Sequence, residues 1–141
     1  MLHALLERLP DLPPEQRRES ADRWLKNIFR VSTYSDRCTI IDHVLSVIDA
    51  PDFADVFSSG ALAEAPIAAV VGDIVISGTV DRLLVRPDVV QLVDFKTGNR
   101  VPQDNAAIPT PHLRQMAAYV AALSVIFPGR RIEAGLLYTA G

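Results

Sequence analysis

Between residues 61 and 97 three apolar, β-branched segments follow one another, divided only by Gly72-Asp73 and Pro87-Asp88. Strands joined by connections this short pair antiparallel, because a parallel partner needs a crossover of a dozen or more residues. The pattern therefore predicts a meander over about 61–71, 74–86 and 89–97. Its turns also predict register. A turn centred on Pro87-Asp88 sets Asp81 across from Asp94, and one centred on Gly72-Asp73 sets Glu64 across from Asp81. Successive side chains alternate between faces, so Asp94 and Lys96 share one face while Val93 and Phe95 take the other. Facing residues have Cβ atoms roughly 5 Å apart, and like charges placed so repel. Acids kept in such positions imply a cation between them. A bulge would reverse the facing of a strand, and Pro66 marks a bulge or an edge.

The rest of the chain is arranged around this meander. Leu2, Leu5, Leu6 and Leu9 recur at helical spacing up to Pro10, which predicts an opening helix with His3 on a different face. A second helix is expected over 15–30, with Trp24, Leu25 and Ile28 turned inward, and a third over 36–49, with Ile40, Ile41, Val44, Leu45 and Ile48 apolar. A short helical turn over 51–57 completes an all-helical part, 1–57. Beyond the meander, Thr110-Pro111 reads as an N-cap followed by proline, opening a helix that carries Leu113, Met116, Ala117, Val120, Leu123 and Phe127 and ends at Pro128-Gly129. Residues 131–139 return as a last strand, so 61–139 holds the sheet and one helix. The expected class is α/β, in the order helix, three-stranded antiparallel meander, helix, strand, with extra N-terminal helices. A length of 141 residues predicts one domain over 1–141.

Composition narrows the chemistry. The lone cysteine, Cys38, excludes an internal disulfide framework and an iron-sulfur cluster held by four thiolates of this chain. No apolar run approaches the roughly 20 residues that span a bilayer, and no basic-then-apolar leader opens the chain, so the expectation is a cytoplasmic protein without a membrane partner. A net charge of −3 weighs against a dedicated nucleic-acid binder, although an acidic metal site can sit inside a basic rim. His43 and His112 find no partner in the pattern and are expected at the surface.

Facing carboxylates hold hard divalent cations through oxygen. A cation there polarises a phosphoryl oxygen, and a lysine on the same face stabilises charge building on a phosphate. Asp81, Asp94 and Lys96 together suggest phosphodiester hydrolysis. Read as a plain surface ion pair, Asp94 and Lys96 would contribute only about 0–1 kcal/mol.

Three motifs carry a family resemblance: Gly78-Thr79-Val80-Asp81-Arg82, Asp94-Phe95-Lys96-Thr97-Gly98 and Gln115-Met116-Ala117-Ala118-Tyr119. In this order, on strand, strand and helix, they resemble the PD-(D/E)xK nucleases and, within them, the RecB family. The opening Leu2-His3-Ala4-Leu5-Leu6-Glu7 resembles that family's N-terminal helix, whose histidine binds metal. The segments around Leu9-Pro10, Phe53 to Phe57, Ala63 to Ile67 and Gly135 to Thr139 look more narrowly like the C-terminal nuclease domain of the AddA subunit of AddAB helicase-nucleases. The resemblance implies a restriction-endonuclease-like core and Mg²⁺ or Mn²⁺ held by His3, Asp81, Asp94 and the backbone carbonyl of Phe95; Glu64, set across from Asp81 by the turn, is a candidate extra ligand. It implies a catalytic Lys96, and Gln115, Tyr119 and Arg82 positioning the substrate. A histidine ligand tilts preference towards Mn²⁺. The implied partners are DNA, as a single-stranded end fed by a helicase, together with that helicase domain and a partner nuclease subunit in double-strand-break repair. ATP would serve only the helicase, since no phosphate-binding Gly-Lys-Ser/Thr loop occurs here, and the chain is then expected to be a domain of a larger protein. The rival expectation is a non-catalytic module that uses the same fold to bind single-stranded DNA or a partner subunit.

Overall fold

The computed structural model describes residues 1–58, 60–97 and 102–139. They form two compact units, Met1–Gly60 and Ala61–Gly141, divided where the apolar period changes from helical to alternating.

The first unit holds α1 (Leu2–Arg8), α2 (Pro14–Asn27) and α3 (Tyr34–Ile48). The opening leucine stripe is buried as its spacing predicts: Leu2, Leu5, Leu6 and Leu9 are at most 8% exposed. α2 ends three residues before the expected boundary, because Arg30 turns into the left-handed region (φ 58°). Ile28 consequently falls outside the helix and is exposed, correcting its inward assignment; Leu25 is fully buried. The α2–α3 connection is held by one buried cation. Arg37 donates to Asp22 at 2.7 Å and to the carbonyls of Val31 and Ser32 at 3.0 and 2.9 Å. That arrangement satisfies loop carbonyls and also the guanidinium that would otherwise be costly to bury.

The second unit is a four-stranded sheet in the order β1-β2-β3-β4: β1 (Leu62–Val71), β2 (Ile74–Val85), β3 (Val89–Thr97) and β4 (Arg131–Thr139). Where it is laddered the meander keeps the register its turns predict, but neither the expected Asp81–Asp94 pair nor the expected Glu64–Asp81 pair is part of the ladders. β1 and β2 pair from Val71 with Ile74 to Leu62 with Leu83, around Gly72 at φ 61°. β2 and β3 pair from Val85 with Val90 to Arg82 with Val93, where Arg86 N donates to Val89 O at 2.9 Å to close the turn. β4 then runs parallel to β3, Val89 beside Arg131 through Thr97 beside Thr139. A parallel neighbour requires a crossover, and α4 (Thr110–Ile126) supplies it.

α4 buries Met116, Tyr119, Ala122 and Leu123 against Ala65, Ile67, Val80, Leu83, Val90 and Leu92 of the sheet. This is the core of the second unit. Two details differ from expectation. The N-cap is Pro109, with no side-chain cap bond, so Thr110 is already helical; and Leu113 is 46% exposed. β1 lies at the edge of the sheet, where Pro66 opposite Thr79 forfeits no interior ladder bond.

Candidate active site

Asp94 and Lys96 leave the end of β3 on one face, as alternation dictates. Their side chains meet: Lys96 Nζ lies 2.7 Å from Asp94 Oδ2, with the two side chains only 14% and 9% exposed. This is no solvated surface pair. Lys96 also donates to Gln115 Oε1 at 2.7 Å, and Gln115 Nε2 approaches Tyr119 OH at 3.5 Å one helical turn further on. The four-residue spacing in α4 therefore lines up an amide and a phenol behind the lysine. The ammonium is held between a carboxylate and an amide oxygen, with its direction set by β3 and α4 together.

Asp81 immediately precedes Arg82, where the β2–β3 ladder stops short of an Asp81–Asp94 pair, and its carboxylate turns to β3, where Phe95 N donates to Oδ2 at 2.7 Å. That bond fixes the Phe95 peptide beside the buried carboxylate. Glu64 falls between the Ala63–Arg82 and Ala65–Val80 pairs and takes φ 48°, a left-handed conformation unusual for a residue with a Cβ. Its carboxylate reaches to within 4.8 Å of that of Asp81. Two carboxylates at this separation fit one hard cation, whose oxygen ligands stand roughly 2.0–2.6 Å from it.

Arg82 is fully buried, which places it inside the framework and away from solvent. Tyr119 is buried also, and its ring rests on Gly78: a Cβ at that position would lie 2.7 Å from Tyr119 OH and 2.9 Å from Cε1. The glycine of the first motif thus has a steric reason in the tyrosine of the third. His3 lies on α1 of the first unit and is half-buried. Gly98 lies outside the described residues.

One neighbour had no signal in the local pattern. His112 Nδ1 lies 2.6 Å from Tyr138 OH, so His112 has a partner where none was expected. The parallel register also puts Tyr138 beside Lys96. Burial pushes the Tyr138 phenol above its ordinary range, partly offset by the nearby Lys96 charge. Only the non-local β3–β4 register could have announced this contact, and no turn encodes it.

A mixed sheet that ends an antiparallel hairpin in two buried acids and a clamped lysine, with a crossover helix beneath, defines a restriction-endonuclease-like protein. A model of the PD-(D/E)XK nuclease superfamily matches residues 1–140, and the chain belongs to that superfamily. No curated protein sequence matches the chain closely enough to count as a relative. Among the described residues no helix is long and apolar enough to cross a membrane.

Proposed function

We propose that this chain hydrolyses DNA phosphodiester bonds with a divalent cation, as the nuclease module of an AddA-type helicase-nuclease acting in double-strand-break repair and recombination. The observation that carries the reading is the clamping of Lys96 between Asp94 and Gln115, on the same sheet end as Asp81. A scaffold that only binds DNA has no need of an ammonium held in this way.

In this reading Asp81 and Asp94 hold Mg²⁺ or Mn²⁺, joined by His3 and the Phe95 carbonyl, with Glu64 as a further oxygen ligand. The cation supplies Lewis acidity at the scissile phosphate and lowers the pKa of a water. Lys96 directs its ammonium at that phosphate and orients the attacking water, while Gln115 fixes the side-chain rotamer and Tyr119 backs Gln115. Phe95 N keeps Asp81 aimed at the site. Arg82, being buried, acts on substrate only through the strand end it anchors. In this reading residues 1–141 make up one nuclease domain. A helicase domain and a partner nuclease subunit deliver a single-stranded DNA end to it, and ATP is consumed only there.

The test is cleavage of linear DNA in Mn²⁺. Lys96→Ala is expected to lower the rate by about 10²–10³-fold, the range for removing one preorganised charge stabiliser. Unchanged cutting by Lys96→Ala would refute the assignment. DNA binding by the parent chain with no cutting under Mn²⁺ or Mg²⁺ would instead identify the non-catalytic module.

A further inference from the structure

The end of the sheet that carries Lys96 borders a cavity of about 620 Å³, lined by residues outside the acid-lysine constellation. One wall is Leu113 and Met116 of α4, which flank Gln115; another is Ala134 and Tyr138 of β4; Asp104 and Asn105, from the segment before α4, close a third side. Two links tie the cavity to the reaction site. Tyr138 stands beside Lys96 on the neighbouring strand, and neighbouring strands lie only about 4.8 Å apart. Gln115, which receives Lys96, sits between the two α4 residues of the wall.

The lining selects a kind of occupant. Among the described lining residues there is no lysine or arginine, and Asp104 brings a negative charge, so a phosphate is disfavoured. Apolar side chains and a phenol ring offer flat faces, while the Asp104 carboxylate and Asn105 amide offer hydrogen-bonding edges. Both are held in place: Ala107 N donates to Asp104 Oδ1 at 3.1 Å, and His112 fixes the Tyr138 hydroxyl. Flat uncharged faces with donors and acceptors at the rim match a heteroaromatic ring whose charge lies elsewhere. Single-stranded nucleic acid is recognised through such stacking on aromatic and apolar platforms.

We propose that this cavity takes a nucleobase of the substrate strand, next to the phosphate presented to Asp94 and Lys96. The proposal deepens the nuclease reading by naming a base subsite of the same site. It requires the base to leave its stack, so it makes unpaired strands and frayed ends the preferred substrate.

The experiment compares binding of two fluorescent 12-unit probes to the whole chain in Ca²⁺, oligo(dT) and a phosphodiester ladder of abasic units. The parent is expected to bind oligo(dT) about tenfold more tightly, in the range of one base stacked. Ala134→Leu, which fills the cavity from an exposed strand position, is expected to bring that ratio close to one without weakening binding of the abasic ladder or lowering Tm. Asn105→Ala, at the rim, is expected to reduce the ratio less. Equal binding of both probes by the parent, no binding of either, or a ratio that survives Ala134→Leu would overturn the subsite. Base preference in a chain that never cuts DNA would sink the nuclease reading and leave the subsite standing, and cutting without base preference would do the reverse.

Discussion

Gly78 carries no side chain, and Tyr119 occupies the space that one would need. A methyl group at 2.7 Å from the phenol oxygen must displace the ring or bend β2. Gly78→Ala is therefore expected to lower stability by about 1–3 kcal/mol, as overpacking does. Tyr119→Leu withdraws the ring, so the double mutant should lose less than the sum of the singles when all are unfolded in urea. Additive losses would show that the ring does not depend on the glycine. Tyr138 gives a second expectation at this scale. Its folded-state pKa is raised by burial, so the stability of the neutral phenol is complete below about 10 and is lost as pH climbs through the higher folded value. Absorbance at 295 nm should show phenolate forming late in the parent, and Tyr138→Phe should remove part of that late fraction. The sequence made Asp94 and Lys96 neighbours through alternation alone. His112 and Tyr138 are 26 residues apart, on elements whose meeting depends on a parallel strand, and no local rule brings them together.

Among the elements, β1 shows where regularity gives way to chemistry. Its register with β2 is the one the Gly72-Asp73 turn sets, and it resumes on both sides of Glu64. Only Glu64 departs from strand geometry, with φ 48°. Left-handed backbone costs a residue with a Cβ about 1–2 kcal/mol, and such outliers persist where the surroundings or the function hold them. Glu64→Gly should accordingly raise stability by up to about 1 kcal/mol, while Glu64→Ala should not. In the proposed site both changes remove an oxygen ligand and should weaken Mn²⁺ binding by calorimetry. A Glu64→Gly protein that is less stable than the parent would mean that the carboxylate contributes more to the apo-fold than its backbone costs. Turns made the register of the meander legible, because two-residue connections allow one register, but not the interruption of both ladders at Asp81. Helix ends were less so. α2 stops at Asn27 because Arg30 accepts a conformation that composition does not mark, and α4 begins at Thr110 because Pro109 is already the cap.

Across the molecule, the boundary at Gly60 was visible as a change of apolar period, since each unit buries its own stripe. The acids of the second unit make a prediction for the whole chain. Asp81 and Asp94 are buried, the Glu64 carboxylate comes within 4.8 Å of that of Asp81, and Asp94 lies against the Lys96 ammonium. Carboxylates so close repel at neutral pH, and a divalent cation relieves the repulsion only in the folded chain. Binding to the folded state alone stabilises by about 2.7 kcal/mol at a ligand concentration 100 times Kd. For a chain of this size each kcal/mol moves Tm by about 2–4 °C, so saturating Mn²⁺ should raise Tm by about 5–10 °C. Asp94→Asn removes one ligand and leaves the Lys96 ammonium against the amide oxygen of Gln115. It should lower the metal-free Tm, because truncating one member of a buried pair leaves the other uncompensated. It should also abolish most of the Mn²⁺ shift. The two effects separate the roles: a lower Tm with a full Mn²⁺ shift would make Asp94 the partner of Lys96 alone and move the cation to Asp81 and Glu64, whereas no shift even in the parent would remove the cation from the site and the hydrolytic reading with it.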